Sequence, residues 1–395
     1  MVCPGSSYRA GTIAVVKILH TSDWHVGRTI RGRSRAEEHR AVLAEITGIA
    51  GNEGVDLILV AGDLFDVVAP SPESEQIVFR ALLDLADIAP VVAVAGNHDH
   101  PRRLEAVAPL LELGRVTVGS TLRRPEDGGV ITVDTESGET GRIALVPFVG
   151  QRAIVSATDL MALDPDQHGG KYAGRLAGVI DKLTEGLSLD QVNLVVAHLM
   201  VAGGTLGGGE RSAHTIFDYA VSSQAFDGSL SYVALGHLHR PQKVPAAGPV
   251  WYSGSPLQMD FGETEDRKAV LLIEAEPGVP ARVREVPLSA CRRLLRLRGT
   301  LEQIAALQDE VGDAYLRIEL EETARVGLAD EVRRLFPDAV DVAIAAPEKG
   351  GETAPPVRLG RPPHELFTEY LTQKNALDER LVALFDELLA ESHET

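Results

Sequence analysis

Short apolar runs alternate with helical patterns along the first quarter of the chain, and this alternation constrains the fold more than any other feature. The runs Val15–Leu19, Asp56–Ala61 and Val91–Ala95 have the length and composition of buried strands. Between them, Arg35–Ala50 has apolar residues at an approximate helical spacing, and Glu73–Leu85 begins as a helix just after a Ser-Pro pair. This succession implies parallel strands that are joined by right-handed crossovers.

The middle of the chain follows a different rhythm, because several apolar runs succeed one another without a helix between them. Such runs do not fit a purely parallel sheet. We therefore expect an α/β (α+β) fold in which two sheets pack as a sandwich and are flanked by helices. The predicted strands of this part are Val130–Val133, Ile143–Val146, Val192–Ala197, Tyr232–Leu235, Ala269–Ile273 and Val283–Val286.

The pattern changes again near residue 288, which suggests a second, smaller domain. Residues 13–287 form the predicted main domain, and residues 288–346 form a predicted α/β capping domain. The capping domain has a βαβαβ pattern in which short apolar runs alternate with helical stretches. Its predicted elements are Cys291–Leu297, Leu301–Glu310, Tyr315–Leu320, Leu328–Phe336 and Val340–Ala345.

Both ends of the chain differ from these domains in composition. Residues 1–12 are unpatterned and are expected to be a disordered leader. Residues 347–362 are rich in Pro, Gly and charge, as a linker is. Residues 363–395 contain two amphipathic helical stretches, Pro363–Leu371 and Asp378–Leu389, which favour a tail that docks on a partner helix or coiled coil. The same apolar stripe could instead pack on the tail's own domain.

Polar residues that can bind metal ions follow five of the predicted strands, where ligands collect in open α/β sheets. Gly62, Gly96 and Gly236 accompany them and permit the tight turns that bring the backbone close to a metal. The candidate metal ligands are Asp23, His25, Asp63, Asn97, His198, His237 and His239.

These ligands provide carboxylates, an amide and imidazoles, a mixed oxygen and nitrogen set that suits two divalent ions. Asp63 could bridge the two ions, and the lack of thiolates favours Mn, Fe or a similar ion over structural zinc. His98 is not needed as a ligand. It could hydrogen-bond a phosphate or protonate a leaving oxygen, with Asp99 setting its orientation. The motifs therefore predict two-metal phosphoester hydrolysis with His98 as the catalytic histidine.

The order of the motifs, D-x-H, GD, GNHD, H and GHxH, resembles the signature of the calcineurin-like metallophosphoesterase superfamily. The flanking segments, among them VAGDLFD, AGNHDHPRR and YSGSPLQMDFGE, resemble the SbcD family of bacterial nuclease subunits. The resemblance extends from about Lys17 to Gly262, and more loosely through the capping domain and the tail.

The resemblance implies a manganese-dependent DNA double-strand exonuclease and single-strand or hairpin endonuclease. It assigns one manganese ion to Asp23, His25, Asp63 and His239, and the other to Asp63, Asn97, His198 and His237, with His98 as the catalytic histidine. The implied partners are DNA ends and hairpins and an SbcC-like ATPase with a long coiled coil, with a homodimer of this subunit inside a heterotetramer. Asp66 stands where some relatives outside bacteria have a histidine near the substrate, which leaves its own role open.

The formal net charge of −19 at pH 7 opposes broad contact with nucleic acid. Metal ions would cancel part of the carboxylate charge, and arginine clusters could track phosphates, although each cluster could equally be a solvated loop. The clusters are Arg28, Arg31, Arg33 and Arg35; Arg102 and Arg103; and Arg292, Arg293, Arg296 and Arg298. The two cysteines and the lack of a membrane-length apolar run predict no disulfide framework, no membrane partner and a cytoplasmic location.

Two other functions would use the same features. A small-molecule phosphodiesterase or nucleotidase would share the metal site, but it has less need of a capping domain and a tail. A non-catalytic scaffold would have no reason to keep a complete ligand set and a free histidine. The run Gly203–Gly209 lacks the Lys-Ser/Thr of a phosphate loop, so we expect a mobile loop beside the site and no binding of ATP. His20, on the first strand, is expected to lie in the core or behind the ligands.

Overall fold

The structure is a computed structural model. It describes residues 15–345 except 136–137, 151–152, 155–156, 158–160, 162–171, 209 and 211–219, and it also describes residues 367–368, 371–372, 378 and 380–385. The predicted leader and linker lie outside these residues. The chain forms two compact units, one containing the described residues up to 345 and the other those from 367 onward.

The larger unit contains seventeen strands and six α-helices among its described residues. The strands are β1 (Val16–Thr21), β2 (Thr29–Ile30), β3 (Arg33–Ser34), β4 (Leu57–Val60), β5 (Val91–Val94), β6 (Val116–Gly119), β7 (Val130–Asp134), β8 (Thr140–Val146), β9 (Val192–His198), β10 (Tyr232–Gly236), β11 (Gln242–Val244), β12 (Val250–Tyr252), β13 (Ala269–Glu276), β14 (Val279–Pro287), β15 (Leu294–Gly299), β16 (Tyr315–Leu320) and β17 (Ala339–Ile344). The helices are α1 (Ala36–Glu53), α2 (Pro72–Ala86), α3 (Pro101–Glu112), α4 (Tyr172–Thr184), α5 (Leu301–Ala305) and α6 (Leu328–Leu335). None of the described helices combines the length and apolar character that crossing a bilayer requires.

The first sheet has the strand order β14-β13-β1-β4-β5-β6. Strands β1, β4, β5 and β6 are parallel, and β13 pairs antiparallel with β1. Helices α1, α2 and α3 connect the parallel strands, which confirms the predicted alternation. The sequence analysis did not predict α3. Pro101 starts this helix, and His100 is its N-cap, so Arg102 and Arg103 lie in a first helical turn and not in a loop.

The second sheet has the order β11-β12-β10-β9-β8-β7 and packs face to face on the first. Alternate residues of each strand point to opposite sides. Leu57 and Leu59 of β4 therefore join the core between the sheets, whereas Ile58 and Val60 pack under the helices of the first sheet. On the far side, α4 covers the second sheet. Both faces of the central strands are covered, so β4, β5, β9 and β10 are buried along their whole length and consist mostly of apolar residues, and the expected sandwich is confirmed.

The capping segment forms a separate parallel sheet of order β15-β16-β17. Helices α5 and α6 cover one face of it, and Ile318, Leu320 and Val332 are at the centre of the cluster between them. Thr300 and Gln303 form a reciprocal capping box at the start of α5. That helix ends at Ala305, several residues before the end of the predicted stretch.

Most of the arginines that were considered as phosphate contacts are bonded within the chain. Arg31 lies in the turn of the β2–β3 hairpin, which the sequence analysis did not predict, and Arg33 lies in β3. Arg31 Nε is 3.1 Å from Asp341 Oδ2, and Arg33 Nη1 is 3.1 Å from Asp338 Oδ1. Arg292 also contacts Asp338, at 3.0 Å. The hairpin is thus attached to the capping segment by ion pairs. These guanidinium groups are used structurally, which neither the phosphate-contact nor the solvated-loop interpretation anticipated.

The smaller unit contains the described part of the tail. The rings of Phe367 and Phe385 stack there with their centroids 4.1 Å apart. Leu381 and Leu384 are exposed. The remainder of the two predicted tail helices lies outside the described residues.

Candidate metal centre

The polar motifs meet at the carboxyl ends of neighbouring strands from both sheets. Asp23 follows β1 and Asp63 follows β4, and the two loops are joined by backbone hydrogen bonds from Asp23 to Gly62 and from His25 to Asp63. His198 ends β9 and His237 follows β10, which are parallel neighbours. The sandwich brings these edges together because the first and second sheets pack face to face.

The backbone at the site is strained. Among the described residues other than glycine, positive φ angles occur at Asp23 (52°), His25 (46°), Asp63 (52°) and His237 (107°), and otherwise only at Arg31 and Arg115. Each such conformation costs roughly 1–3 kcal/mol and persists where the surrounding structure enforces it. The concentration of this strain at four candidate ligands is typical of a functional site.

Glycines allow the loops to approach each other closely. A Cβ atom at Gly96 would overlap the carboxylate and the backbone nitrogen of Asp63, and one at Gly62 would overlap the ring of His198. Any larger residue at either position would push a candidate ligand away. The predicted role of these glycines in bringing backbone to the site therefore has a direct steric cause.

Asp63 lies at the middle of the cluster. Its Oδ2 atom is 3.5 Å from Nε2 of His25 on one side and 3.5 Å from Nε2 of His198 on the other. Its Oδ1 atom accepts a hydrogen bond from the backbone N–H of His98 at 2.8 Å. This carboxylate is therefore placed where it could contact two cations at once.

On one side of Asp63, the Nε2 atoms of His25 and His239 are 3.1 Å apart. Ligand atoms of Asp23, His25 and His239 all lie within 4.8 Å of one another. The carboxylate of Asp23 also accepts the backbone N–H of His237, at 3.0 and 3.1 Å, which connects the two halves of the site. Two imidazole nitrogens and a carboxylate thus converge on one point.

On the other side, Oδ1 of Asn97 lies 2.9 Å from Nε2 of His198 and 2.9 Å from Nδ1 of His237. The Nδ1 atom of His198 faces the carbonyl of Ala61 at 2.8 Å. In the neutral ring this bond places the proton on Nδ1 and leaves Nε2 with a lone pair that points into the site. Together, the two sides contain all seven candidate ligands.

The pKa values of Asp63 and His198 depend mainly on burial and on the contact between these two side chains. Burial favours the neutral carboxyl of Asp63, but His198 and then His25 outweigh it and hold the pKa of Asp63 well below its ordinary value. Burial also favours the neutral form of His198 and so lowers its pKa, but the contact with Asp63 outweighs burial and raises the pKa to about 9. For His25, burial prevails and lowers the pKa well below its ordinary value. Binding a cation to Nε2 of His198 would therefore release a proton, so metal affinity should rise with pH.

His98 is oriented by a residue other than the one expected. Its Nδ1 atom lies 2.7 Å from the backbone oxygen of Asp66. Asp99, which was predicted to set the orientation of His98, instead accepts backbone N–H bonds from Leu64, Phe65 and Gly96. Its carboxylate therefore stabilises the loops on which the ligands lie. Burial and then Asp63 raise the pKa of Asp99 to about 7.

The donor set fits two divalent ions. The carboxylates and imidazoles of the cluster are almost completely buried, and burial of so many polar groups is costly unless they are paired or bind a metal. Nδ1 of His25 is buried and has no hydrogen-bond partner in the described part of the chain. The oxygen and nitrogen donors match the preferences of Mn²⁺ and Fe²⁺.

A ring nitrogen of His98 also lies within 4.8 Å of ligand atoms of His25 and Asp63. Binding of a metal by His98 is therefore the geometric alternative to a catalytic role.

Several side chains around the site were not singled out from the sequence. Glu263 accepts a hydrogen bond from Nδ1 of His239 at 3.0 Å, and Ser22 donates to Asp23 at 2.6 Å. Glu210 accepts the backbone N–H groups of Gly207 and Gly208 and so holds the described part of the glycine-rich loop beside the site. Ser22 adjoins the first motif and Glu263 ends the quoted segment YSGSPLQMDFGE, but only the folded structure shows which ligands these three residues contact.

The remaining residues that the sequence analysis discussed have clear positions. His20 is buried in the core, as expected, with Nδ1 2.9 Å from the hydroxyl of Tyr232. The side chain of Asp66 lies 3.2 Å from Nη1 of Arg28, at the edge of the cluster. Arg28 lies three residues after His25, and Asp66 lies three residues after Asp63. This ion pair therefore connects the loop of His25 with the loop of Asp63.

Comparison with known proteins identifies the family. The family model of calcineurin-like phosphoesterases matches residues 16–241. The SbcD subunit of the nuclease SbcCD from Bacillus subtilis (strain 168) is 34% identical over 330 residues, which cover 81% of this chain and 82% of that protein. This chain belongs to the SbcD family. The SbcD subunit of Rhodobacter capsulatus is 35% identical over 312 residues, covering 75% of this chain and 76% of the relative.

The SbcD subunit of Escherichia coli (strain K12) is 29% identical over 310 residues, which cover 75% of this chain and 74% of the relative. Membership of the SbcD family confirms the predicted enzyme class, a metal-dependent phosphoesterase. It also agrees with the two-sheet fold, since the matched residues extend from β1 to just beyond β10.

Proposed function

We propose that this member of the SbcD family is a nuclease that hydrolyses DNA phosphodiesters with two manganese ions, as a double-strand exonuclease and a single-strand or hairpin endonuclease. The observation that carries the proposal is the central position of Asp63, equidistant from the imidazoles of His25 and His198. A carboxylate between two groups of nitrogen donors is what a pair of divalent ions requires. The relatives are named as subunits of a nuclease, which supports a nucleic acid as the substrate.

The seven ligands would hold the ions in two groups that share Asp63. Asp23, His25 and His239 complete one group, and Asn97, His198 and His237 complete the other. When bound, the ions supply Lewis-acid activation and positive charge at the phosphate. The protein's own contribution is the fixed geometry of these side chains, which bonds from Nδ1 of His198 and of His239 to buried acceptors maintain.

His98 is proposed to act as a general acid that protonates the leaving oxygen. The bond from Nδ1 to the backbone oxygen of Asp66 fixes the orientation of the ring, and we assign contact with the phosphate and proton transfer to Nε2. Hydrolysis forms one bond from a water oxygen to phosphorus and breaks the bond from phosphorus to the ester oxygen. The attacking water gives one proton to the solvent, and the proton that the ester oxygen needs would come from Nε2 of His98 in its doubly protonated form. Arg28, which pairs with Asp66, is proposed to contact the DNA backbone.

The capping segment and the tail are proposed to bind macromolecules. We assign residues 288–346 to a capping domain, and residues 363–395 to partner-binding helices that follow a linker at 347–362. The relatives are named as subunits of a complex, SbcCD, which supports an SbcC-like ATPase as the partner of this chain in the cytoplasm. A homodimer within a heterotetramer would follow from the same family membership. Exposure of Leu381 and Leu384 on the tail is consistent with docking there.

The decisive experiment is a nuclease assay on linear duplex and hairpin DNA with Mn²⁺, Mg²⁺ or a chelator, with and without the ATPase partner. We expect cleavage that needs Mn²⁺ and that the chelator abolishes. Cleavage that persists in the chelator would refute the two-metal mechanism. Hydrolysis of a small bis-aryl phosphodiester without cleavage of DNA would favour the alternative, a small-molecule phosphodiesterase or nucleotidase.

A further inference from the structure

A buried ion pair lies directly behind one of the candidate ligands. Glu263 and Lys268 are almost fully buried, and Nζ of Lys268 lies 2.7 Å from Oε2 of Glu263. The other oxygen of Glu263, Oε1, lies 3.0 Å from Nδ1 of His239. Burying two charges is costly and contributes little net stability on its own. The pair therefore calls for an explanation beyond stability.

All the hydrogen-bonding capacity of the lysine is used. Its ammonium group donates to Glu263, to the backbone oxygen of His239 at 2.9 Å and to the hydroxyl of Ser255 at 2.9 Å. Three donors thus meet three acceptors. Lys268 is consequently bonded both to the backbone of His239 and to the carboxylate that holds the ring of His239.

Glu263 is held just as firmly. Besides Lys268, its Oε2 atom accepts the backbone N–H of Met259 at 2.9 Å. The amide of Gln258 donates to the backbone oxygen of Glu263 at 2.9 Å, while its carbonyl accepts the backbone N–H of Leu294 in β15. The carboxylate therefore has a fixed position, and part of the support comes from the capping segment.

The bond to Oε1 determines which nitrogen of His239 faces the site. A carboxylate accepts but does not donate, so it keeps the proton of the neutral ring on Nδ1 and the lone pair on Nε2. That Nε2 atom lies 3.1 Å from Nε2 of His25. Carboxylate partners of this kind orient histidine ligands and raise their basicity in metal sites.

We infer that Glu263, supported by Lys268, is a positioning residue that fixes the tautomer and the orientation of His239 for one of the two metal ions. The inference rests on the proposed function, since it needs the cluster to bind metal. It is specific to one ion, because the group of Asn97, His198 and His237 is oriented by other partners. Loss of Glu263 should therefore weaken one metal site and spare the other.

The test is Mn²⁺ binding by the purified full-length protein, measured by calorimetric titration and by elemental analysis. Glu263→Gln replaces one acceptor oxygen with an N–H₂ group, so a donor must face either His239 or the pair of Lys268 and Met259. We expect one Mn²⁺ equivalent to bind roughly 10–100-fold more weakly and the other to bind as in the wild type. The pH dependence of the weakened equivalent should change as well, because the basicity of His239 changes.

A second variant separates positioning from folding. Glu263→Gln alone leaves the Lys268 charge unpaired and could unfold the chain, whereas Glu263→Gln with Lys268→Met contains no unpaired charge. This folded double variant should show the same loss at one site. Glu45→Gln is the matched control, because Glu45 accepts backbone N–H bonds from Ser289 and Ala290 and should leave both equivalents unchanged.

The outcomes distinguish this inference from the proposed function. A wild-type protein that binds no Mn²⁺ would refute the two-metal function itself. If the wild type binds two equivalents and the double variant also binds both with unchanged affinity, or does not fold, the positioning role is wrong. Equal weakening of both sites, or the same weakening in Glu45→Gln, would overturn it too.

Discussion

Replacement of His98 by alanine is expected to separate metal binding from hydrolysis. The ring of His98 is held by the bond from Nδ1 to the backbone oxygen of Asp66, at 2.7 Å. Removing the ring leaves the seven proposed ligands in place. The backbone N–H of His98, which donates to Oδ1 of Asp63 at 2.8 Å, is also unchanged by the substitution. Both metal equivalents should therefore remain.

The rate of hydrolysis should fall sharply in the same variant. A positioned acid or base contributes about 10²–10⁴-fold to the rate, which corresponds to about 2.7–5.4 kcal/mol of activation free energy at 1.36 kcal/mol per factor of ten. Because the ions would still polarise the phosphate, we expect a residual activity and not complete inactivity. A diester with a good leaving group should lose less, since its leaving oxygen needs little protonation.

The assay compares kcat on duplex DNA with metal content by elemental analysis for His98→Ala and for a control, His100→Ala. His100 is exposed, and its side chain makes no capping bond to α3, so this variant should keep both activity and metal. Loss of one metal equivalent from His98→Ala would show that His98 is a ligand, as its proximity to His25 and Asp63 permits. The reasoning would then be refuted.

Three further predictions concern the ligands and the tail. Asp63→Ala should lose both metal ions in elemental analysis, because this carboxylate contacts both halves of the cluster, and two full equivalents in the variant would exclude bridging. Gly96→Ala should also lose metal and activity, since a Cβ atom there overlaps the carboxylate of Asp63; normal Mn²⁺ titration would contradict this steric argument. Truncation at about residue 350 should keep metal content and hydrolysis of a small diester but abolish co-purification with the ATPase. A truncated protein that co-purifies at full yield would disprove partner binding by the tail, and one that unfolds would mean that the tail packs on its own domain.

The sequence was sufficient to predict that the candidate ligands lie together, because the motifs are local. Asp23 and His25, or His237 and His239, are two residues apart and follow buried strands, and such positions converge wherever parallel strands share an edge. The apolar runs were equally informative, since strands that are buried on both faces contain few polar residues. Helix α3 was missed because Arg102 and Arg103 were considered either as phosphate contacts or as part of a solvated loop.

The roles of single polar side chains were harder to predict, because they depend on partners that are distant in sequence. Arg33 and Arg292 were considered either as phosphate contacts or as parts of solvated loops, but both pair with Asp338, which the fold brings beside them. Asp99 adjoins His98 in the chain, yet its carboxylate turns toward the backbone of Leu64 and Phe65. Adjacency in sequence does not decide which acceptor a side chain reaches.

By itself, then, the amino-acid sequence determined the strand alternation, the two-sheet fold and the candidate metal ligands, since these follow from periodicity and from the chemistry of short motifs. Only the tertiary structure decided how Asp63 lies between His25 and His198, which carbonyl fixes His98, and how Glu263 and Lys268 support His239. The physical reason is that hydrogen bonds act over about 3 Å, and distances that short between remote segments exist only after the sheets and loops have packed.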